Sequence, residues 1–215
     1  MLRCHILSAL FVIALSGCST LPEAEPATAL AAPPAKQSVA VDEPPETPIP
    51  EDNLLPLLQA EFALRARDYS QAVALLTEQA ALLTDPALAR RALRLAEFVT
   101  DAERAAAMAV RLVELDPADG AAQAAASGWL SRTGRPVAAL EFAGKAYELG
   151  HPVNVATTLG NYEQMDDDSK AAIAEALHEL ATRWPDDNEI AIASSLLARL
   201  EQDWRRAESF LLPVL

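Results

Sequence analysis

Residues 84–117 read TDPALARRALRLAEFVTDAERAAAMAVRLVELDP, and this stretch decides the fold. Its apolar side chains recur at steps of three and four residues, the spacing of one face of an α-helix. The first apolar face is Leu88, Ala92, Leu95, Ala96 and Val99, and the second is Ala106, Ala109, Val110, Val113 and Leu115. The stretch predicts two amphipathic helices joined at Asp101. No run in the chain alternates with period two for long enough to predict a strand.

A similar polar turn occurs five times after residue 50. The turns occupy residues 68–72, 101–105, 134–138, 167–171 and 203–207. They end at Ala72, Ala105, Ala138, Ala171 and Ala207, which are 33, 33, 33 and 36 residues apart. An aspartate or serine in the turn can cap the helix that follows. Prolines follow the first four alanines and end a helix or begin the next one, at Pro86, Pro117, Pro152 and Pro185.

A two-helix repeat near 34 residues is typical of tetratricopeptide solenoids. The turn at 68–72, with its aspartate, aromatic residue and alanine, resembles that family, as does the ending Leu115-Asp116-Pro117. The resemblance covers residues 53–215 and implies an all-α fold, a right-handed α-solenoid of about five helical hairpins. The Trp-Leu-Gly-Tyr half of the family pattern is weak here. An irregular helical bundle is the alternative.

In this family the first helix of each hairpin lines a concave groove. Counting back from the turn alanines assigns the groove to three hairpins. The assigned residues are Leu54, Leu57, Glu61 and Leu64, then Arg90, Arg94 and Glu97, then Gln123, Ser127 and Leu130. Arg90 and Arg94 are one helical turn apart, so their guanidiniums could together hold a carboxylate, such as a peptide C terminus. The alternative is a solvated arginine face balanced by Asp85 and Glu97.

The first 17 residues predict a lipoprotein signal peptide. Arg3 precedes an apolar run at 6–15, which is too short to span a bilayer and has the length of a secretory signal. The sequence LSGC at 15–18 resembles the lipobox of bacterial lipoproteins. The resemblance implies cleavage before Cys18, acylation of Cys18 and, with Ser19 next, sorting to the outer membrane, facing the periplasm. An ordinary signal peptide with a chance cysteine is the alternative.

Residues 18–50 predict a lipidated cysteine followed by a disordered tether. Eight prolines lie between residues 19 and 50, and no large apolar residues recur at a helical period. The repeat domain is expected over 51–215. Its apolar last residues, Leu211, Leu212, Val214 and Leu215, differ from the polar capping helix of most solenoids. We therefore expect either a fragment of a longer array or an end that docks on a partner.

The composition and the absence of known motifs argue against nucleic-acid binding, metal binding and catalysis. The net charge of −14 is unsuited to nucleic acid. His178 has Thr182, not a second histidine, four residues on, so a zinc helix is not expected. The acidic run 166–168 lacks calcium-loop spacing and is better explained by helix capping. We find no phosphate loop or nucleophile motif. The sequence predicts no catalytic residue, no metal site, no cofactor and no small-molecule substrate, only a protein or peptide partner and a membrane reached through lipid.

A narrower resemblance suggests a role. Residues 84–92 and 113–117 resemble the start of proteobacterial outer-membrane repeat lipoproteins that bind a carboxyl-terminal processing protease. That likeness implies an adaptor that brings cell-wall hydrolases to the protease. The alternatives are an assembly factor for an envelope machine, such as a pilus secretin or a cell-wall synthase, and an array that only spaces other proteins.

Overall fold

The structure is a computed structural model, and it describes residues 48–212. The predicted signal peptide at 1–17, Cys18, the tether as far as residue 47 and the last three residues lie outside this range.

The described part of the chain is all-α, as predicted, and contains no strand. Its helices are α1 (Glu51–Arg65), α2 (Tyr69–Leu82), α3 (Pro86–Phe98), α4 (Ala102–Leu115), α5 (Gly120–Arg132), α6 (Pro136–Glu148), α7 (Asp167–Arg183), α8 (Asn188–Leu200) and α9 (Trp204–Leu211). Two short 3₁₀ turns lie between α6 and α7, namely η1 (Val155–Leu159) and η2 (Tyr162–Gln164).

Aspartate caps begin most of these helices. In each case the carboxylate accepts a hydrogen bond from a backbone N–H two or three residues further on. The capping residues are Asp68, Asp85, Asp101, Asp119, Asp166, Asp187 and Asp203. The hydrogen bond from the Gln71 N–H lowers the pKa of Asp68, and that from the Ser169 N–H lowers the pKa of Asp166. The capping role expected for the acidic run at 166–168 is thereby confirmed.

Tight turns fold the helices into hairpins. Arg67, Thr100 and Gly134 join α1 to α2, α3 to α4 and α5 to α6, each with a positive φ of 60°, 59° and 74°. Gln202, at φ 62°, makes the same turn between α8 and α9. Each hairpin packs on the next because α2 contacts α3 and α4 contacts α5. The result is a stack of tetratricopeptide-like hairpins.

The fourth hairpin differs from the prediction, because 3₁₀ turns replace its first helix. Pro152 has no N–H to donate, and the Asn154 side chain accepts the Ala156 N–H at 3.1 Å. The Thr158 hydroxyl donates to the Val155 carbonyl oxygen at 2.7 Å. Such local side-chain bonds compete with the α-helical ladder. The η1 turn still contacts α5, α6 and α8, so it fills the space that a first helix would occupy.

The repeat register also differs from the even spacing predicted. The N-cap residues of the second helices lie at steps of 33, 34, 31 and 37, and they are Asp68, Asp101, Arg135, Asp166 and Asp203. The third repeat is longer because the loop before α5 has four residues, 116–119, whereas the loop before α3 has three, 83–85. Ala139, not Ala138, is therefore the fully buried turn alanine, and Ala171 is exposed.

Candidate protein-binding groove

Side-chain bonds hold the first helices of hairpins one to three side by side. Glu61 on α1 pairs with Arg91 on α3. Arg90 Nη2 donates to Asp119 Oδ2 at the start of α5, at 2.7 Å. The Trp129 Nε1–H on α5 donates to Glu97 Oε1 at 3.0 Å. These links make α1, α3 and α5 one continuous wall, which we call the groove wall.

Two of the carboxylates in these links, Glu61 and Asp119, have lowered pKa values. The hydrogen bond from Arg91 lowers the pKa of Glu61. Burial raises the pKa of Asp119. The hydrogen bonds from the Ala122 N–H and the Arg90 guanidinium oppose this effect and together outweigh it, so the net pKa lies below the ordinary value for aspartate. At neutral pH both carboxylates are therefore charged, and Arg90 and Arg91 are committed to partners within the wall.

The residues predicted for hairpin one are mainly structural. Leu57 and Leu64 are partly buried and pack against the hydrophobic core. Glu61 is paired with Arg91. Leu54 is about half exposed and lies on the outer side of α1.

On hairpin two, the two arginines predicted to act together have different surroundings. Arg90 is bound to Asp119 and Glu97 to the Trp129 indole. Arg94 is exposed, and within residues 48–212 it has neither an ion pair nor a side-chain hydrogen bond. Of the two guanidiniums, that of Arg94 is the one without a side-chain partner in the described range.

On hairpin three, the three side chains assigned to the groove are buried. Gln123, Ser127 and Leu130 are 2%, 3% and 4% exposed, so they cannot contact a partner in this structure. The cause is the extra residue in the loop before α5, which shifts the face of the helix by one position. The positions that match Arg90, Arg94 and Glu97 are Ala124, Gly128 and Ser131.

The corrected register reveals residues that the sequence analysis missed. Phe98 and Arg132 occupy the same position on α3 and α5, and both are exposed, Phe98 to 66%. The Phe98 ring packs edge-on against Tyr69, with 5.1 Å between centroids. The Arg132 guanidinium lies 4.6 Å from the centroid of the Trp129 ring. We call Arg94, Phe98, Trp129 and Arg132 the arginine–aromatic patch.

The patch combines two guanidiniums with two aromatic rings. Guanidiniums make charge-assisted hydrogen bonds to carboxylates, and an exposed aromatic ring can bury an apolar side chain. Small open cavities of about 300 Å³ and 270 Å³ lie elsewhere, at the α5–α6 turn and beside Trp184, and neither is lined by patch residues. Within residues 48–212, no cluster of three or more histidine, cysteine or acidic side chains could hold a metal ion.

His178 and the helix lengths give no further site. His178 lies exposed on α7, and its carbonyl oxygen accepts a hydrogen bond from the Thr182 hydroxyl at 2.9 Å. Across the described range, no helix combines the length and the apolar character needed to cross a bilayer.

The described residues therefore form a stack of helical hairpins that is tetratricopeptide-like in form. No protein-family model matches the chain. The chain is 26% identical over 162 residues to the TPR repeat-containing protein PA4667 of Pseudomonas aeruginosa. That alignment covers 75% of this chain and 27% of the relative, so the chain spans about a quarter of the relative's length.

Two solved structures of similar type can be compared with this one. MamA from Desulfovibrio magneticus RS-1, solved from its residue 41 to the end, is 16% identical with a TM-score of 0.41, and the match covers 78% of this chain and 95% of that solved chain. PilW, described as a widely conserved type IV pilus biogenesis factor, is 12% identical with a TM-score of 0.39, and 77% of each chain is covered.

Proposed function

We propose that this protein is a lipid-anchored periplasmic scaffold whose groove wall binds a carboxylate-bearing segment of a partner protein. The observation that carries the proposal is the state of the α3 arginines. Arg90 and Arg91 are paired inside the wall, whereas Arg94 has no ion pair within residues 48–212 and is exposed one turn from Phe98. A solvated arginine face would not explain why a large aromatic side chain is exposed beside it.

The patch favours a specific kind of segment. A hydrogen bond to a charged group contributes about 1.5–3 kcal/mol, and burying an apolar side chain adds about 1.5–3 kcal/mol. A ligand that uses both needs a carboxylate and an apolar residue close together. A C terminus that ends in an apolar residue, or an acidic residue next to one, meets this requirement. Because the patch is exposed, salt should screen the attraction and weaken binding.

The anchor and the cellular role rest on the sequence. The LSGC box supports cleavage after residue 17 and acylation of Cys18, which would hold the groove at the outer membrane. The adaptor role, presenting cell-wall hydrolases to a carboxyl-terminal processing protease, is supported by the resemblance at 84–92 and 113–117. A role in assembling a pilus secretin or a cell-wall synthase is the competing proposal.

The groove is tested by photo-crosslinking in the cell envelope. A photoreactive phenylalanine replaces Phe98 in the full chain, and mass spectrometry identifies the adducts. We expect Arg94→Glu to reduce the adduct about tenfold, because it removes a charge-assisted contact and adds repulsion. The matched control is Arg205→Glu, which changes an exposed arginine on α9 that has no ion pair within the described range. Equal adduct yields in both variants would contradict the groove.

The identity of the adduct separates the roles. A processing protease or a cell-wall hydrolase supports the adaptor, and a secretin or a cell-wall synthase supports the assembly factor. The anchor is tested separately with Cys18→Ala, which should move the protein from the membrane fraction to the soluble fraction. If the variant remains in the membrane fraction, the lipid anchor is wrong, whatever the groove binds.

A further inference from the structure

We propose that the outer face of α1 is a docking surface for a second copy of this chain, with the two α1 helices antiparallel. This face consists of Glu51, Leu54, Leu55, Leu58, Phe62 and Arg65, which recur at steps of three and four residues and so share one side of the helix. We call it the α1 outer face. It is distinct from the arginine–aromatic patch on α3 and α5.

The α1 outer face is unusual for a solvent-facing helix surface. Leu55 is 63% exposed, Phe62 is 64% exposed and Leu58 is 46% exposed, although all three are large and apolar. The opposite side of α1 is already used, since Ala60 and Ala63 are buried in the core. Contiguous exposed apolar residues of this kind commonly mark an interaction surface.

In the next repeat, the equivalent side of the first helix is a packing surface. Leu55 and Phe62 correspond to Leu88 and Leu95 on α3, 33 residues later. Leu88 is buried and Leu95 is partly buried, because the first hairpin covers that side of α3. The α1 outer face therefore has the residue types of a packing surface, and residues 48–212 supply nothing that covers it.

The charges on this face fit a second copy of the same helix. Glu51 lies seven residues before Leu58 and Arg65 lies seven residues after it. In an antiparallel pair centred on Leu58, Glu51 of each copy faces Arg65 of the other. Leu54 then faces Phe62, because each lies four residues from the centre. The arrangement is a two-fold interface in which one patch complements itself.

A side-chain hydrogen bond joins α1 to α2. The Asn53 side-chain amide on α1 donates to Gln79 Oε1 on α2 at 2.7 Å, and Gln79 is buried. One helix pair buries less than the roughly 1,600 Å² of a standard stable interface, so we expect a dissociation constant on the order of micromolar. Two copies tethered to one membrane would meet at a higher effective concentration.

Disulfide cross-linking of the full chain in the cell envelope tests the proposal. Leu58→Cys places a thiol beside the two-fold axis, where the two copies come close enough to form a disulfide. We expect a covalent dimer after mild oxidation. The matched control is Leu82→Cys, which introduces a thiol at another exposed leucine, at the end of α2, and should stay monomeric. The unaltered chain controls for its own two cysteines.

Charge reversal identifies the occupant. In the Leu58→Cys background, Glu51→Arg alone and Arg65→Glu alone should each reduce the dimer about threefold or more, the effect of losing surface ion pairs. The double reversal restores both pairs only if the partner is the same chain, so it should recover most of the dimer. Recovery would not occur if a different protein occupied the face.

Three results would overturn the proposal. One is a monomer for Leu58→Cys at all expression levels, which includes the case in which residues before 48 cover α1. Another is equal cross-linking of Leu58→Cys and Leu82→Cys, which indicates random collision. The last is a double reversal that cross-links no better than the single reversals.

Discussion

The first three hairpins and the fourth repeat fill the same kind of space with different residues. In the first region, residues 51–139, the helices meet largely through alanine, with fully buried examples at Ala60, Ala92 and Ala109. In the second region, residues 140–200, the core contains large side chains such as Ile173 and Leu177. Small residues let regular helices approach closely, whereas the short 3₁₀ turns leave space that larger residues fill.

A polar link centred on a buried tyrosine also joins two helices of the second region. The Tyr147 hydroxyl on α6 donates to Asp187 Oδ1 at 3.0 Å and lies 3.2 Å from the Val153 carbonyl oxygen. Burial, followed by the hydrogen bond to Asp187, raises the pKa of Tyr147. The Tyr147 ring also lies against Trp184, with 5.2 Å between centroids. This link joins α6 to the start of α8 across the position where a regular helix is missing.

The largest loss of stability is expected from truncating a large, fully buried side chain of the second region. Ile173→Ala should lower the free energy of unfolding by about 2–5 kcal/mol, because Ile173 is 0% exposed and the substitution leaves a cavity. Chemical denaturation followed by circular dichroism measures the loss. The matched control is Ile192→Ala on α8, where the side chain is 43% exposed and the cost should be below about 1 kcal/mol. Equal losses of unfolding free energy in the two variants would show that the burial of Ile173 does not determine its contribution to stability.

In the first region, replacing a buried alanine with a larger side chain should lower the free energy of unfolding. Ala92→Leu places three extra carbons at a fully buried helix contact and should cost about 1–3 kcal/mol. The same denaturation measurement applies. Ala87→Leu, on an exposed position of the same helix, is the control and should be close to neutral. If Ala92→Leu leaves the free energy of unfolding unchanged, the alanine contacts are loosely packed and can accommodate a larger side chain.

Removing the polar link should have the smallest effect. Tyr147→Phe loses the hydrogen bond to Asp187 and should cost about 0.5–1.5 kcal/mol. Hydrogen exchange should quicken at residues 153–165 and stay unchanged in α1–α4. Tyr69→Phe, whose hydroxyl makes no hydrogen bond within residues 48–212, is the control. Uniform acceleration along the chain would instead indicate one cooperative unit without a local link.

The sequence predicted the hairpins well where period and capping agree. The stripe Leu88, Ala92 and Ala96 is buried as expected, and aspartate caps appear at the turns. It failed at residues 152–164, where apolar residues still have nearly helical spacing. There the outcome depends on short-range hydrogen bonds from Asn154 and Thr158, and a hydrophobic pattern does not reveal them.

The groove was predictable only in part, because two adjacent alanines fit the turn pattern equally well. Taking Ala138 instead of Ala139 moved three groove residues to the buried side of α5. The pairing of Arg90 was also invisible, because its partner Asp119 is 29 residues away in sequence. Arg94 could be predicted as exposed, but its availability depends on bonds that only the fold creates.

The missing first helix of the fourth repeat sets the length of what the groove wall can hold. The wall contains three first helices, α1, α3 and α5, before η1 interrupts it. Helices packed about 10 Å apart place the outer two axes about 20 Å apart. An extended peptide advances about 3.3 Å per residue, so this footprint is about six residues long. Under the proposed function, this length matches a single short linear motif rather than a folded domain.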